Sequence, residues 1–284
     1  MSSVRTSRPT LSASAGLGCA ALAVAISICS PSLAASTSMS PQNAKAIGFQ
    51  GIWLGTETST WTDPRYRTTA WSPDPATLFT PWGAKESKRL ASPVTPGDCS
   101  PRNPAELVRS GGLGLFPTLI AQAGDQLLMT IEASVLPRRI YMDGRSHPKD
   151  LDSTWEGDSV GHWAGDTLVV DTIGVNGKAR PLNGYVAGTV FATPGDYAPR
   201  LPISEQMHMV ERIRLVGDGD YLEDQITITD PKSYTGSFKK TVYWNRRPDL
   251  EYLEYFCTDN VRQAGEVRQP DVEESAKQAL TKGP

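Results

Sequence analysis

The sequence predicts an all-β protein, an antiparallel meander closed into a barrel or a two-sheet sandwich. Three observations carry that expectation. Gly/Asp pairs recur between short runs rich in β-branched and aromatic residues: Gly124-Asp125, Gly165-Asp166 and Asp218-Gly219-Asp220, with Asp143-Gly144 as a fourth. These residues accept the positive φ that tight hairpin turns require. Apolar residues show almost no 3.6-residue period before the C-terminal region. Eight prolines lie between Asp63 and Pro104, a density that rules out long regular elements there.

Taken in order, residues 1–34 have a basic start (Arg5, Arg8), an apolar stretch from about Gly16 to Ile28, and Ser32-Leu33-Ala34 before Ala35. They read as a secretory signal peptide, which places the protein in the periplasm or outside the cell. Residues 35–50 are Ser/Ala/Asn-rich and are expected to form a flexible lead-in to one β-rich domain over 51–284. Gly51 to Thr62 opens as a strand. The proline-rich stretch from Asp63 wraps the domain, with a short helix about Gly83 to Leu90. FPTLIAQA and QLLMTIEA flank Gly124-Asp125; RRIYM precedes Asp143-Gly144; SVGHWA and TLVVDTIG flank Gly165-Asp166. HMVERIRLV and YLEDQITITD flank Asp218-Gly219-Asp220. Phe238 to Asn245 and Leu250 to Cys257 form a last pair about Arg246 to Asp249. Val175 to Ser204 is an irregular connection with the length of a lid. Val272 to Leu280 suits a short C-terminal helix. A meander this long removes its edges by curling or folding over.

The formal charge is −3, and loss of 34 residues carrying two arginines and no acid makes it −5. A mildly acidic exported chain is a poor nucleic-acid binder. No later segment is apolar enough to span a bilayer, so stable membrane insertion is not expected. Oligomeric state is not legible. Cys99 and Cys257 remain after cleavage, and in an oxidising compartment they can form one disulfide. Two unpaired buried thiols are the alternative.

Alternation sorts the strand side chains. Val169, Asp171 and Ile173 share one face, and Met209, Glu211, Ile213 and Leu215 share another. Asp171 and Glu211 therefore each sit among apolar neighbours. A carboxylate so placed is either ion-paired, with Arg139, Arg145, Arg212 and Arg214 on hand, or a proton-transfer group. His147 follows the Asp143-Gly144 turn, His162 adjoins Trp163, and His208 opens a strand. None has metal-ligand spacing such as HxH or HExxH, so no metal or cofactor is expected. Neither a phosphate loop nor a GxSxG elbow is present.

The stretches RRIYMDGRSHP, TWEGDSVGHWAGDTLVVDTIGVN, HMVERIRL, ITITDPKSYT and LEYFCTDN resemble, in that order, a large family of exported, uncharacterised bacterial β-rich proteins. The resemblance runs over about Gly51 to Asn260 and departs at Arg109 to Ile120. It implies an exported β domain, with Cys99 and Cys257 matching family cysteines and His147, His208 and Glu211 inside the motifs. The Trp-x-Gly-Asp runs also look like the strand-turn signature of lipocalin-like barrels.

These readings converge on an exported protein that binds a small, mostly apolar or aromatic molecule. Its chemistry, if any, is cofactor-free acid/base work of isomerase, hydratase or lyase type. His147, His208, Glu211, Asp171 and Tyr141 are the candidate catalytic residues. Arg145, Arg212, Trp163 and His162 are the candidate ligand contacts. A non-catalytic periplasmic binding or envelope protein is the first alternative. An enzyme with a metal on the three histidines is the second.

Overall fold

The structure, a computed structural model, describes residues 45–56, 63–90, 101–108, 116–132, 134, 136–178, 182 and 200–255. The signal-peptide segment, Cys99, Cys257, most of the 175–204 connection and the expected C-terminal helix lie outside the described residues.

Among the described residues, nine strands close into one barrel in chain order. They are β1 (Gly51–Gly55), β2 (Thr118–Ala123), β3 (Gln126–Ile131), β4 (Arg138–Tyr141), β5 (Asp158–Ala164), β6 (Thr167–Ile173), β7 (His208–Val216), β8 (Tyr221–Thr229) and β9 (Phe238–Arg246). Of the two alternatives in the sequence, the barrel is the one adopted, and it has the lipocalin-like character expected. Two helices, α1 (Pro81–Leu90) and α2 (Pro104–Val108), belong to the proline-rich wrap. No helix among the described residues is long and apolar enough to cross a membrane.

Local chemistry explains the hairpins. Gly124 and Gly165 occupy the first position of two-residue turns, at φ 58° and 64°. Ala123 pairs with Gln126 across the first and Ala164 with Thr167 across the second. Asp218 takes φ 55° and Gly219 φ 93° between β7 and β8. Period-two alternation then sends Ile120, Leu127, Met129, Ile140, Leu168, Val170, Met209, Ile213, Leu222, Ile226, Val242 and Trp244 into one core, all at most 5 % exposed.

Three expectations are corrected. The meander is not wholly antiparallel: β4 and β5 run parallel, with Ile140 opposite Ser159 and Tyr141 opposite Val160. Parallel neighbours cannot be joined by a tight hairpin, so Asp143-Gly144 turns the chain into a crossing over 142–157. The segment 250–255 forms no strand, because the free edge of β9 is already taken. Trp53, Leu54 and Gly55 of β1 pair with Arg246, Asn245 and Trp244.

Beyond them the wrap runs along β9. Ser72 and Lys239 exchange backbone bonds at 2.8 and 3.0 Å, and the Thr241 amide donates to Thr69 Oγ1 at 3.0 Å. Residues 45–50, expected to be flexible, are packed: Ala46 and Phe49 are buried, and Trp53 Nε1 donates to the Phe49 carbonyl at 2.8 Å. Finally, Asp171 lies on the outer face of β6, because Leu168, Val170 and Thr172 are the side that turns inward.

Candidate functional site

Three of the residues singled out from the sequence meet on the outer wall over β5, β6 and β7. His147, in the 142–157 crossing, places Nδ1 2.5 Å from Asp158 Oδ1 and Nε2 3.1 Å from Asp171 Oδ1. His208 Nε2 lies 2.9 and 3.0 Å from the two Asp171 oxygens. The result is an unbroken chain, Asp158···His147···Asp171···His208. It is graded from inside to out: the Asp158 side chain is 12 % exposed and that of His208 is 46 % exposed.

The crossing is held in place by close backbone approach. Gly157 takes φ 66°, and a Cβ there would come 2.4 Å from the Ile173 carbonyl oxygen, so only glycine lets the chain enter β5 at this point. Thr154 donates its amide to Gly174 O at 2.9 Å, and its carbonyl accepts from Asn176 at 2.7 Å. These bonds stitch the crossing to the end of β6 and fix His147 over it.

The proton arrangement follows from the partners. Carboxylates accept and do not donate. The His208 Nε2–H therefore points at Asp171. His147 turns both ring nitrogens to carboxylates, Nδ1 to Asp158 and Nε2 to Asp171. Around Asp171 the outer face is apolar: Val160 and Val210 are its directly paired neighbours, and Val169 and Ile173 flank it on its own strand.

Tyr141 and Arg145 stand beside this chain. The Arg145 guanidinium lies 4.0 Å from the Tyr141 ring centre and holds Asp143 with Nε–Oδ1 and Nε–Oδ2 contacts of 2.9 Å. That hydrogen-bonded partner keeps the Asp143 carboxyl below its ordinary range. The Asp143 bond raises Arg145, and the Asp158 charge adds to that.

Glu211 does not join them. It faces the barrel interior at 0 % exposure, where Arg138 Nη1 donates to its Oε1 at 2.8 Å and Nη2 contacts Oε2. The same Nη2 reaches Thr172 Oγ1 at 3.0 Å. Burial alone would lower Arg138, yet Glu211 carries it above its ordinary value. Asp224, 1 % exposed, lies against Glu211, and neither of its oxygens meets a donor. Burial first, and then the Glu211 charge, push Asp224 well above the usual carboxylate range.

Of the other candidates, His162 is exposed on the outer face of β5, about 13 Å along the strand from Asp158. The three histidines thus do not assemble, and among the described residues no group of three or more His, Cys, Asp or Glu is arranged to hold a metal ion. Trp163 packs 5.3 Å from Phe49 at one end of the barrel, with its Nε1 buried and unpartnered. Arg212 is exposed on β7.

Asp158, Arg138 and Asp224 are the residues the sequence reading passed over. Alternation from Ile140 puts Arg138 on the inward face, a signal that was present. Asp158 needed the register of β5 on β6, which no local pattern carries. No family model and no curated protein matches the chain.

Proposed function

We propose that this is an exported, cofactor-independent acid/base enzyme of isomerase or lyase type, acting on a small, mostly apolar molecule at the outer wall over β5–β7. The observation that carries the reading is the Asp158–His147–Asp171–His208 chain. A carboxylate that fixes one imidazole tautomer and stabilises the imidazolium formed on proton uptake is the arrangement general-base catalysis uses. His208 is the catalytic residue. Its Nδ1 takes a proton from carbon, and the C–H electron pair moves into a new double bond. In an isomerisation the π pair of a double bond already at the neighbouring atom shifts one atom further, and the same proton returns there; in an elimination a leaving group departs from the neighbouring atom with its bonding pair.

Asp171 and His147 are positioning residues, and Asp158 anchors His147. Arg145, beside Tyr141, supplies positive charge near oxygen atoms of the substrate. The apolar frame of Val160, Val210 and Ile173 supports an apolar substrate body. Export is supported by the basic-then-apolar pattern of residues 1–34 and by the resemblance to the exported β-rich family.

Hydrogen exchange tests this directly. Wild-type protein and His208→Ala are incubated in D2O with a small-molecule extract of the cell envelope, and masses are compared. The wild type is expected to deuterate or convert at least one species, and His208→Ala to do neither while keeping its melting temperature. Identical profiles would remove the enzyme reading. A molecule retained by both proteins without exchange would identify a binding protein instead.

A further inference from the structure

The strand register lines up side chains across the outside of the barrel. Val160, Asp171, Val210, Thr227 and Lys239 are successive partners on β5 to β9, and Ser72 of the wrap bridges to Lys239. One step over, Val169, Arg212, Gln225 and Thr241 form a second such row. Directly paired residues point to the same side of a sheet. Asp171 therefore shares one continuous surface with Thr227, Lys239 and Arg212. Three strand spacings separate Asp171 from Lys239, about 14 Å.

The far end of these rows is a groove of about 440 Å³ between the wrap and β7–β9. Arg212, Lys239, Gln225, Thr227, Thr241 and Ser72 line it, and no carboxylate does. Arg212 and Lys239 are exposed and have no ion-pair partner among the described residues. Two unneutralised cations with an amide and hydroxyls, on a protein of net negative charge, make an anion site. Val210 is the apolar step between that site and Asp171.

We propose that the groove holds the anionic end, a carboxylate or phosphate, of a molecule whose apolar body crosses Val210 towards His208. This rests on the acid/base reading only for what happens at His208. The ligand class is thus an amphipathic anion, with the reacting carbon roughly 10–14 Å from the charged group. An uncharged molecule of the same length lacks the anchor.

Backbone amide NMR titration tests it with three probes: decanoate, 1-decanol and inorganic phosphate. Decanoate is expected to shift Arg212, Thr227, Lys239 and Val210 together and to bind at least about tenfold tighter than 1-decanol. Phosphate should shift the groove residues alone, and more weakly. The double variant Arg212→Gln, Lys239→Gln, confined to exposed side chains, should lose about tenfold or more for decanoate with no change for 1-decanol.

Equal binding of decanoate and 1-decanol, or an unaffected double variant, would overturn the anion anchor. Equal binding of phosphate and decanoate would overturn the apolar body. Decanoate binding as expected with no deuterium exchange in the wild type would sink the chemistry at His208 and leave the anchor standing. Exchange without the decanoate pattern would do the reverse.

Discussion

Arg138 on β4 reaches past β5 and β6 to Glu211 on β7, and both side chains are shut off from solvent. Removing one member of a buried ion pair strands the other. Glu211→Ala is expected to cost about 3–5 kcal/mol of stability, while Arg138→Met with Glu211→Leu recovers most of it. Urea denaturation of the two variants checks this. A Glu211→Ala protein of undiminished stability would mean that the pair is not what keeps the interior in register.

Asp224 gives the fold a pH dependence. Its carboxyl is raised by burial and by the Glu211 charge, so the folded chain keeps a proton that the unfolded chain releases near its ordinary value, about 3.9. Stability from this group is present in full below that value and declines as pH rises through the folded pKa. Asp224→Asn should flatten the decline and raise the melting temperature at pH 8 more than at pH 5. Thermal melts of both proteins across that range are the measurement; parallel curves would refute the assignment.

The Asp171 carboxylate should govern two imidazoles at once. Asp171→Asn is expected to move the ring-nitrogen resonances of both His147 and His208 in 15N spectra and to leave those of His162 in place. A change confined to one histidine would break the chain into separate contacts.

Gly83 in α1 shows where helix propensity loses to packing. Alanine is the better helix former by about 1 kcal/mol. A Cβ at this position, however, would lie 2.1 Å from the Ser233 carbonyl oxygen. Gly83→Ala is therefore expected to destabilise by about 1–3 kcal/mol, measurable by thermal unfolding. A gain in stability would show that α1 moves freely away from the Ser233 loop.

The sequence made the hairpins legible because their cause is local: glycine or aspartate at a backbone angle other residues avoid. It did not reveal the seam. Leu250 to Tyr255 looks as much like a partner for β9 as Gly51 to Gly55 does, and only long-range closure chooses between them. The parallel step was hidden for the same reason, since Asp143-Gly144 turns the chain whichever strand comes next.

Within the site, alternation grouped Asp171 with Val169 and Ile173 correctly. It did not tell which face turns inward, because Leu168, Val170 and Thr172 are as apolar as their neighbours. His147, His208 and Asp171 were visible as residue types in polar-rich strands. Their meeting depended on the crossing that carries His147 over β6, a tertiary event with no short-range signature.

That crossing between β4 and β5 has a consequence for how such a protein can diversify. Every hairpin in the barrel ties loop length to strand pairing, so an insertion there risks sliding a whole ladder out of step. The parallel junction carries no such tie. Residues can be added or lost between Asp143 and Ser153, ahead of the Thr154 and Gly157 contacts that anchor the crossing, with both flanking strands unmoved, which leaves this span of the wall open to new chemistry.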